Sequence, residues 1–574
     1  MLPTIRTRAC VGTSGGKLWT SDTGGHCSGP AEDGERTPLA PFAAWYEGRV
    51  PAPLRFTRRF LDALPGDDRT DRDSRPVVSA LWSRVQPTPV PAPRLLAWSR
   101  PLATALGLDE ARMQDEATTQ VLAGNALWPG MDPYAANYGG HQFGHWAGQL
   151  GDGRAIVLGE LLAADGSVQE LQLKGAGRTA YSRRGDGRAV LRSSLREYLC
   201  SEAMHALSVP TTRALSLVAT GDDVVRDMFY DGNARPEPGA IVCRVAPSFL
   251  RFGSFELPSS RGDVPLLRTL ADFVLRTHFP DLGAPGRDGY AAMLREIAAR
   301  TARLVAHWQA VGFVHGVLNT DNLSVLGLTI DYGPYGWIDD LDFGWTPNTT
   351  DAGQRRYAFG NQPGIGLWNV ARLGEALLPL LEDDERIVED TLAHYQQVYA
   401  EAATRRFGDK LGLCFDGERG DGDLLQRLFD WMTVQPTDLT LFFRALGPLL
   451  LAPTLPATFP EALRVAFYGP VSEEHLATGR QWLADWWTRV HQQPRPMAEV
   501  AAAMARTNPR YVLRNWLAQT AIDAATGGDT TVLERLFQAL QRPFDEQPEF
   551  AEFAQKRPEW ARSKPGCSAL SCSS

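Results

Sequence analysis

Three groups of residues in this 574-residue chain have the types and spacing of phosphate chemistry. The first is His315-Gly-Val-Leu-Asn-Thr-Asp-Asn322, followed by Asp331-Tyr-Gly333. Asn322 and Asp331 offer hard oxygen donors of the kind Mg²⁺ takes, one from each end of Leu323–Ile330, which reads as a tight hairpin. Asp321 adds a carboxylate directly before the amide. The second group is Lys174, at the end of an alternating apolar and polar run, with Glu197 further on. The third is two glycine-rich turns, Gly151-Asp-Gly-Arg154 and Arg183-Arg-Gly-Asp-Gly187. Glycine permits close backbone approach to a phosphate, and arginine offers paired donors. Transfer of a phosphoryl or nucleotidyl group needs these parts: oxygens for a metal, cations for the phosphates, a group orienting the attacking hydroxyl.

Lysine usage sharpens this reading. Of 58 Lys plus Arg only five are lysine (Lys17, Lys174, Lys410, Lys556, Lys564), so a lysine ending an apolar strand is there as a compact point charge. Arg244 and Arg251, in C-R-V-A-P-S-F-L-R, can add cations, although a solvated basic face would read similarly. His141 and His145 have i,i+4 spacing, but the surrounding glycines speak against a metal-binding helix; loop packing or proximity to a ligand is expected.

The elements that must position these groups can be sketched from periodicity. Asn137–Gly153 carries glycines at turn density and leads into a strand over Ala155–Glu160. A second strand covers Val168–Lys174. A basic, glycine-rich linker follows, then a helix from Ala189 to Leu207 that carries Glu197, with Asp186 as its start signal. Strands are expected at Ala214–Thr220 and Ala240–Val245. Helical periodicity dominates beyond residue 265, as in Leu294–Val311, and no internal repeat is visible.

Order and spacing match a protein kinase, whose catalytic loop reads H-R-D-x-x-x-x-N with D-F-G further on, preceded by a strand lysine and a helix glutamate. One part is missing: Val317 stands where the kinase has its catalytic Asp. A second Asp-Phe-Gly occurs at Asp342–Gly344; Asp331 is preferred because a strand is expected to feed into it from Asn322. The spacing therefore reads as a kinase-type nucleotide site with rearranged transfer chemistry.

Composition bounds the class. Hydrophobic content of 44% and charged content of 22% are those of a soluble globular protein, and the length calls for two or three lobes. A net charge of −9 gives no support for a nucleic-acid or membrane partner. No apolar run is long enough to cross a bilayer, and the N-terminus lacks the apolar middle of a secretory signal. The seven cysteines are scattered without a C-x-x-C, which suggests neither structural zinc nor a disulfide framework. Cys567 and Cys572 sit near the end of the chain, where thiols are expected to be accessible.

The stretches N-Y-G-G-H-Q-F-G-H-W-A-G-Q-L-G-D-G-R, L-Q-L-K-G-A-G-R-T-A-Y-S-R, H-G-V-L-N-T-D-N and T-I-D-Y-G-P-Y-G together resemble the selenoprotein O family of protein kinase-like proteins. The resemblance runs from about residue 54 to the C-terminus. It implies that ATP binds inverted relative to ordinary kinases and that AMP is transferred to Ser, Thr or Tyr hydroxyls of proteins. By motif position it implies Asp321 as proton acceptor and Asn322 with Asp331 as metal ligands. Lys174, held by Glu197 in an ion pair, would contact phosphates, as would Arg244 and Arg251. Gly151, Gly153, Arg154, Asp186, Gly187 and Asp331 would line the nucleotide site. Animal members carry selenocysteine third from the end, the position of Cys572 here.

The expectation is an α+β, protein kinase-like two-lobed fold with an N-terminal extension and a largely helical C-terminal region. Its segments are a disordered stretch over 1–50, an extension over 51–136, an N-lobe over 137–265, a helical C-lobe over 266–500 and a helical extension with a cysteine-containing tail over 501–574. The expected activity is that of a protein adenylyltransferase using ATP and Mg²⁺ or Mn²⁺, cytoplasmic and monomeric. Protein uridylyltransferase, conventional kinase and non-catalytic nucleotide-binding pseudokinase scaffold are the alternatives.

Overall fold

The sheet grows outward from a strand that has almost no polar residues. In the computed structural model, which describes residues 53–415, 420–567 and 569–571, this strand covers Ala155–Leu162. Its near-continuous apolar run reflects burial on both faces. The expected segment over 1–50 and Cys572 lie outside the described residues.

In chain order the strands are β1 (Phe56–Thr57), β2 (Gly66–Asp67), β3 (Trp82–Arg84), β4 (Arg94–Trp98), β5 (Tyr134–Ala136), β6 (Gly139–Gln142), β7 (His145–Gln149), β8 (Ala155–Leu162), β9 (Val168–Lys174), β10 (Arg213–Arg226) and β11 (Arg235–Ala246). The main sheet runs β2-β3-β5-β8-β9-β11-β10-β4, with β1 also on β8. Strands from before residue 137 and after it thus share one sheet. The β6–β7 hairpin stands apart as a two-stranded ribbon, so the glycine-rich stretch is not a member of the main sheet. Ile156, Leu158, Leu171, Leu173, Ile241 and Val245 fill the sheet's core.

β10 and β11 run further than their apolar segments. Their outer halves, D-D-V-V-R and R-P-E-P-G, are only partly buried and hold together by pairing with each other. Burial periodicity cannot show such a ribbon, because what secures it is a hydrogen-bond ladder.

The helix carrying Glu197, α1 (Leu191–Ala206), is buried along nearly its whole length, between β10 and β11 on one side and helices over Asn515–Thr526 and Thr531–Gln541 on the other. Its N-cap is Val190, without a side-chain cap. Asp186 therefore does not start the helix as expected; it accepts two bonds from Arg226, each 2.7 Å, and one from the Arg188 amide. An ion pair was the stronger partner for that carboxylate.

Leu323–Ile330 closes through a single bridge, Leu323 to Thr329, instead of the expected hairpin. Its backbone groups pair elsewhere: the Phe252 amide donates to Leu323, and the Val325 amide to Leu250. The partner is the chain leading into α2 (Phe252–Ser260), which therefore locks the segment between Asn322 and Asp331.

Long helices such as α3 (Arg287–Val311), α4 (Gln362–Leu377) and α5 (Glu385–Leu411) build the C-terminal part around an aromatic-rich core that includes Phe407, Phe429, Trp431, Phe442 and Trp486. Arg514, buried, bridges Asp339 at 2.6 Å and Asp438 at 2.8 Å, tying the last helices to the segment after Asp331. The architecture is α+β, sheet-rich toward the N-terminus and helical beyond. Among the described residues no helix is long and apolar enough to cross a membrane. Cys567 is 6% exposed and burial pushes its thiol up to about 11, so the expected accessible thiol is not found there.

One cross-strand pair gives the sheet a pH dependence. Glu160 on β8 faces Glu170 on β9, and burial, then the neighbouring Glu160 charge, raise the Glu170 carboxyl to about 8. A carboxyl raised in the folded state contributes stability that is fully present below its unfolded value of 4.5 and is lost as pH rises through about 8. Glu170→Gln removes the ionisation. Its melting temperature should lie nearest the parent's below pH 5, exceed it by a gap that widens from there to about pH 8, and keep that gap above; equal gaps at all pH values would refute the assignment.

Candidate active site

Strand register sets the cationic side of the site. Lys174 at the end of β9 pairs with Ala155 on β8 and Val242 on β11, and two residues earlier Gln172 lies opposite Arg244. Since side chains two apart share a face, Lys174 and Gln172 project together, and Arg244 joins them from across the ladder. Glu197, 1% exposed, enters from α1 and takes Lys174 Nζ at 2.6 Å on one oxygen and Arg244 Nε on the other. Arg244 Nη1 also donates to Gln172 at 3.0 Å, and its Nη2 meets Asp331 Oδ1 at 2.8 Å. Burial pushes Lys174 down to about 8, a shift that Glu197 opposes. Glu197 itself stays below the ordinary range: burial would raise it, but Arg244 and Lys174 outweigh that.

The acidic side hangs on the catalytic-loop segment. His315, kept neutral by burial, reaches the Ile330 carbonyl at 2.9 Å and so joins the loop's start to Asp331. Asn322 donates to the Val317 carbonyl at 2.8 Å. Asp331 adopts a left-handed backbone (φ 54°), a conformation Asp tolerates better than most residues. Its carboxyl accepts from Arg251 and is ion-paired with Arg244; against the upward push of burial, these guanidinia and Lys174 hold it far below the carboxylate range. Asp321 is the opposite case. Burial raises it to about 7, and Gln142 Nε2, at 3.0 Å from Oδ2, and Arg251 only partly offset that.

These groups converge on a cavity of about 1020 Å³. Gly151, Gly153, Arg154, Lys174, Asp186, Gly187, Arg244, Asp321, Asn322 and Asp331 all line it. Arg251, expected to contact phosphates, does not line it, and Glu197 was expected only as the ion-pair partner of Lys174. Glu197 stands behind Lys174 and Arg244, and Arg251 stands behind Asp331, where it also donates to the Asp321 carbonyl at 2.8 Å and lies over the Tyr138 ring at 4.3 Å. Gly151 has φ 70°, and a side chain there would run into Tyr181. Asp342 accepts from Gly344 in an exposed turn and is not on the wall. His141 pairs with Glu256 at 2.6 Å against Trp146 and Trp368, while His145 is exposed.

Some participants carried no sequence signal of their own. Asp152, buried and raised by burial, accepts from Gln172 at 3.2 Å and from Tyr138 at 3.3 Å. Arg226 reaches the rim only because the exposed β10–β11 ribbon folds back to Asp186. Gln142 lies inside a glycine-rich run whose glycines drew the attention. Flanked by His141 and Phe143, it has no spacing or periodicity that marks it.

Glu197 holds two buried cations, so its loss strands both. Glu197→Ala is expected to destabilise the fold by about 3–5 kcal/mol, as breaking a buried ion pair does, and calorimetry or denaturant titration would read it. A change below about 1 kcal/mol, the scale of an exposed pair, would show that the cluster is solvated.

Residues 74–541 match the family model described as protein adenylyltransferase SelO. The chain is 53% identical over 545 residues to the protein nucleotidyltransferase YdiU of Nitrosospira multiformis, covering 91% of this chain and 96% of the relative. It is 54% identical to the YdiU proteins of Xanthomonas axonopodis pv. citri and Azoarcus sp., with 91% of this chain and 99% or 100% of theirs covered. Among solved structures, ROP2 from Toxoplasma gondii, titled a virulence factor with a protein-kinase fold and no enzymatic activity, covers 46% of this chain and 85% of its own. With 12% identity and a TM-score of 0.22, that likeness is too low to establish a shared fold.

Proposed function

The chain belongs to the protein adenylyltransferase SelO family, and on that premise we propose that it transfers AMP from ATP to Ser, Thr or Tyr hydroxyls of proteins. The observation that carries the reading is the convergence of Asp321, Asn322 and Asp331 with Lys174, Arg154 and Arg244 on one cavity. A scaffold that merely held a nucleotide would have no use for a buried carboxylate at Asp321.

The triphosphate lies along the cationic residues, inverted relative to a kinase, with its β- and γ-phosphates toward Lys174, Arg154 and Arg244. Gly151, Gly153 and Gly187 let the backbone come close, and Asp186 holds Arg226 at the rim. Arg251 acts through Asp331. The α-phosphate is left beside Asp321. The acceptor oxygen bonds to the α-phosphorus, the bond from that phosphorus to the bridging oxygen breaks, pyrophosphate leaves, and Asp321 takes the acceptor's proton.

Mg²⁺ or Mn²⁺ fits Asn322 and Asp331. The pair gives one amide and one carboxylate oxygen on the same wall, and Mg²⁺ is commonly held by one or two protein carboxylates with substrate phosphates and water. Asp331 is already ion-paired with two arginines, yet a carboxylate has about four lone-pair sites, so a cation can share it. When bound, the cation supplies charge neutralisation and polarisation of the transferred phosphorus.

ATP labelled at the α-phosphate should mark acceptor protein, and ATP labelled at γ should not. Label from γ alone would make the chain a conventional kinase, label from neither a scaffold, and faster transfer from α-labelled UTP a uridylyltransferase. Asp331→Ala should abolish transfer, and EDTA should do so reversibly, with Mg²⁺ or Mn²⁺ restoring it; activity surviving either treatment removes the metal pair from the mechanism.

A further inference from the structure

We propose that Gln142 is a positioning residue for the transfer reaction: its amide holds the Asp321 carboxylate in the orientation in which it meets the incoming hydroxyl. The assignment rests on the transfer reading above.

The two oxygens of Asp321 differ. Oδ2 accepts from Gln142 Nε2 at 3.0 Å, whereas Oδ1 is buried and has no hydrogen-bond partner. Oδ1 packs against Gly140, where an added Cβ would stand 3.1 Å from it, so Oδ2, which keeps lone pairs beyond the one Gln142 uses, is the oxygen left on the cavity side for a donor that arrives with substrate. A hydroxyl is such a donor. During transfer its proton passes to Oδ2 as its oxygen bonds to the α-phosphorus and pyrophosphate departs. Only the amide nitrogen of Gln142 can donate to a carboxylate, so its carbonyl end faces away from Asp321.

The rest of the β6–β7 hairpin holds Gln142 in register. On one side the His141 amide donates to Thr320 Oγ1 at 2.7 Å; on the other the Phe143 amide donates to Tyr357 Oη at 2.8 Å and Asn319 Oδ1 at 3.3 Å. Alternate amides along a strand point the same way, so these bonds bind the ribbon edge to the loop bearing Asp321. Gly140 allows the approach: a Cβ there would lie 2.9 Å from that of Asp321. Together these contacts hold the Gln142 amide against the Asp321 carboxylate.

Gln142→Met keeps the side chain's length and removes the donor. With the full chain, α-labelled ATP and casein as acceptor, kcat should fall about 10- to 100-fold, the loss typical of a misoriented general base. The KM for ATP and the affinity for ATP by titration calorimetry should stay within about twofold, since uniform binding is untouched. In an Asp321→Ala background the same substitution should cost nothing further, because groups acting as a unit are non-additive. Gln142→Glu, which sets a like charge against Asp321, should be slower still than Gln142→Met and gives the same readouts if the Met variant does not fold. Unchanged kcat, a loss confined to KM or ATP affinity, or an undiminished effect without Asp321 would each overturn the assignment. A parent protein that transfers no α label would overturn the transfer reading and this inference with it, whereas an active parent matched by Gln142→Met removes this inference alone.

Discussion

The guanidinium of Arg244 is the joint on which the site depends. It touches Glu197 from α1, Gln172 from β9 and Asp331 from the loop beyond the catalytic segment. Three parts of the chain far apart in sequence therefore meet at one planar cation. Arginine suits this place because its fork can satisfy several acceptors at once while staying charged under burial, which an ammonium does less well. Gln172 contributes a neutral contact, so Glu197 and Asp331 carry the balancing charge.

That arrangement explains why neighbouring carboxylates behave so differently. Asp331 and Glu197 are ionised because cations lie against them. Asp152 and Asp321 sit as deeply but face fewer cations, and burial wins. Environments that push similar groups apart are how one site holds both a charge clamp and a proton acceptor. Lys174, drawn down by burial and supported by Glu197, is charged only because its partner is held in place.

Packing explains the precision with which the loop faces the cavity. Leu323–Ile330 is pinned by the chain leading into α2 and by His315, and the β6–β7 ribbon grips Asn319 and Thr320. None of these contacts is covalent or unusually strong. They act together because each leaves its neighbour only one position, and a carboxylate on such a loop has few rotamers open to it.

Much of this was legible in the residues themselves. Alternation and apolar runs marked β8 and β9, because buried strands leave a local pattern; the scarcity of lysine marked Lys174, and the spacing of Asn322 and Asp331 marked the oxygen pair. Local pattern could not show what depends on partners. Asp186 looked like a helix cap until Arg226 claimed it, and Leu323–Ile330 looked like a hairpin until α2's lead-in took its backbone bonds. Arg251 was expected on the cavity wall, yet it serves Asp331 from behind. The sequence alone determined which chemical groups are available and roughly which elements carry them, since both follow from composition and short-range periodicity. Tertiary structure alone decided which carboxylates stay charged, which oxygen of Asp321 is held by Gln142 and which cations face the cavity, because those depend on burial and on neighbours 23 to 179 residues away.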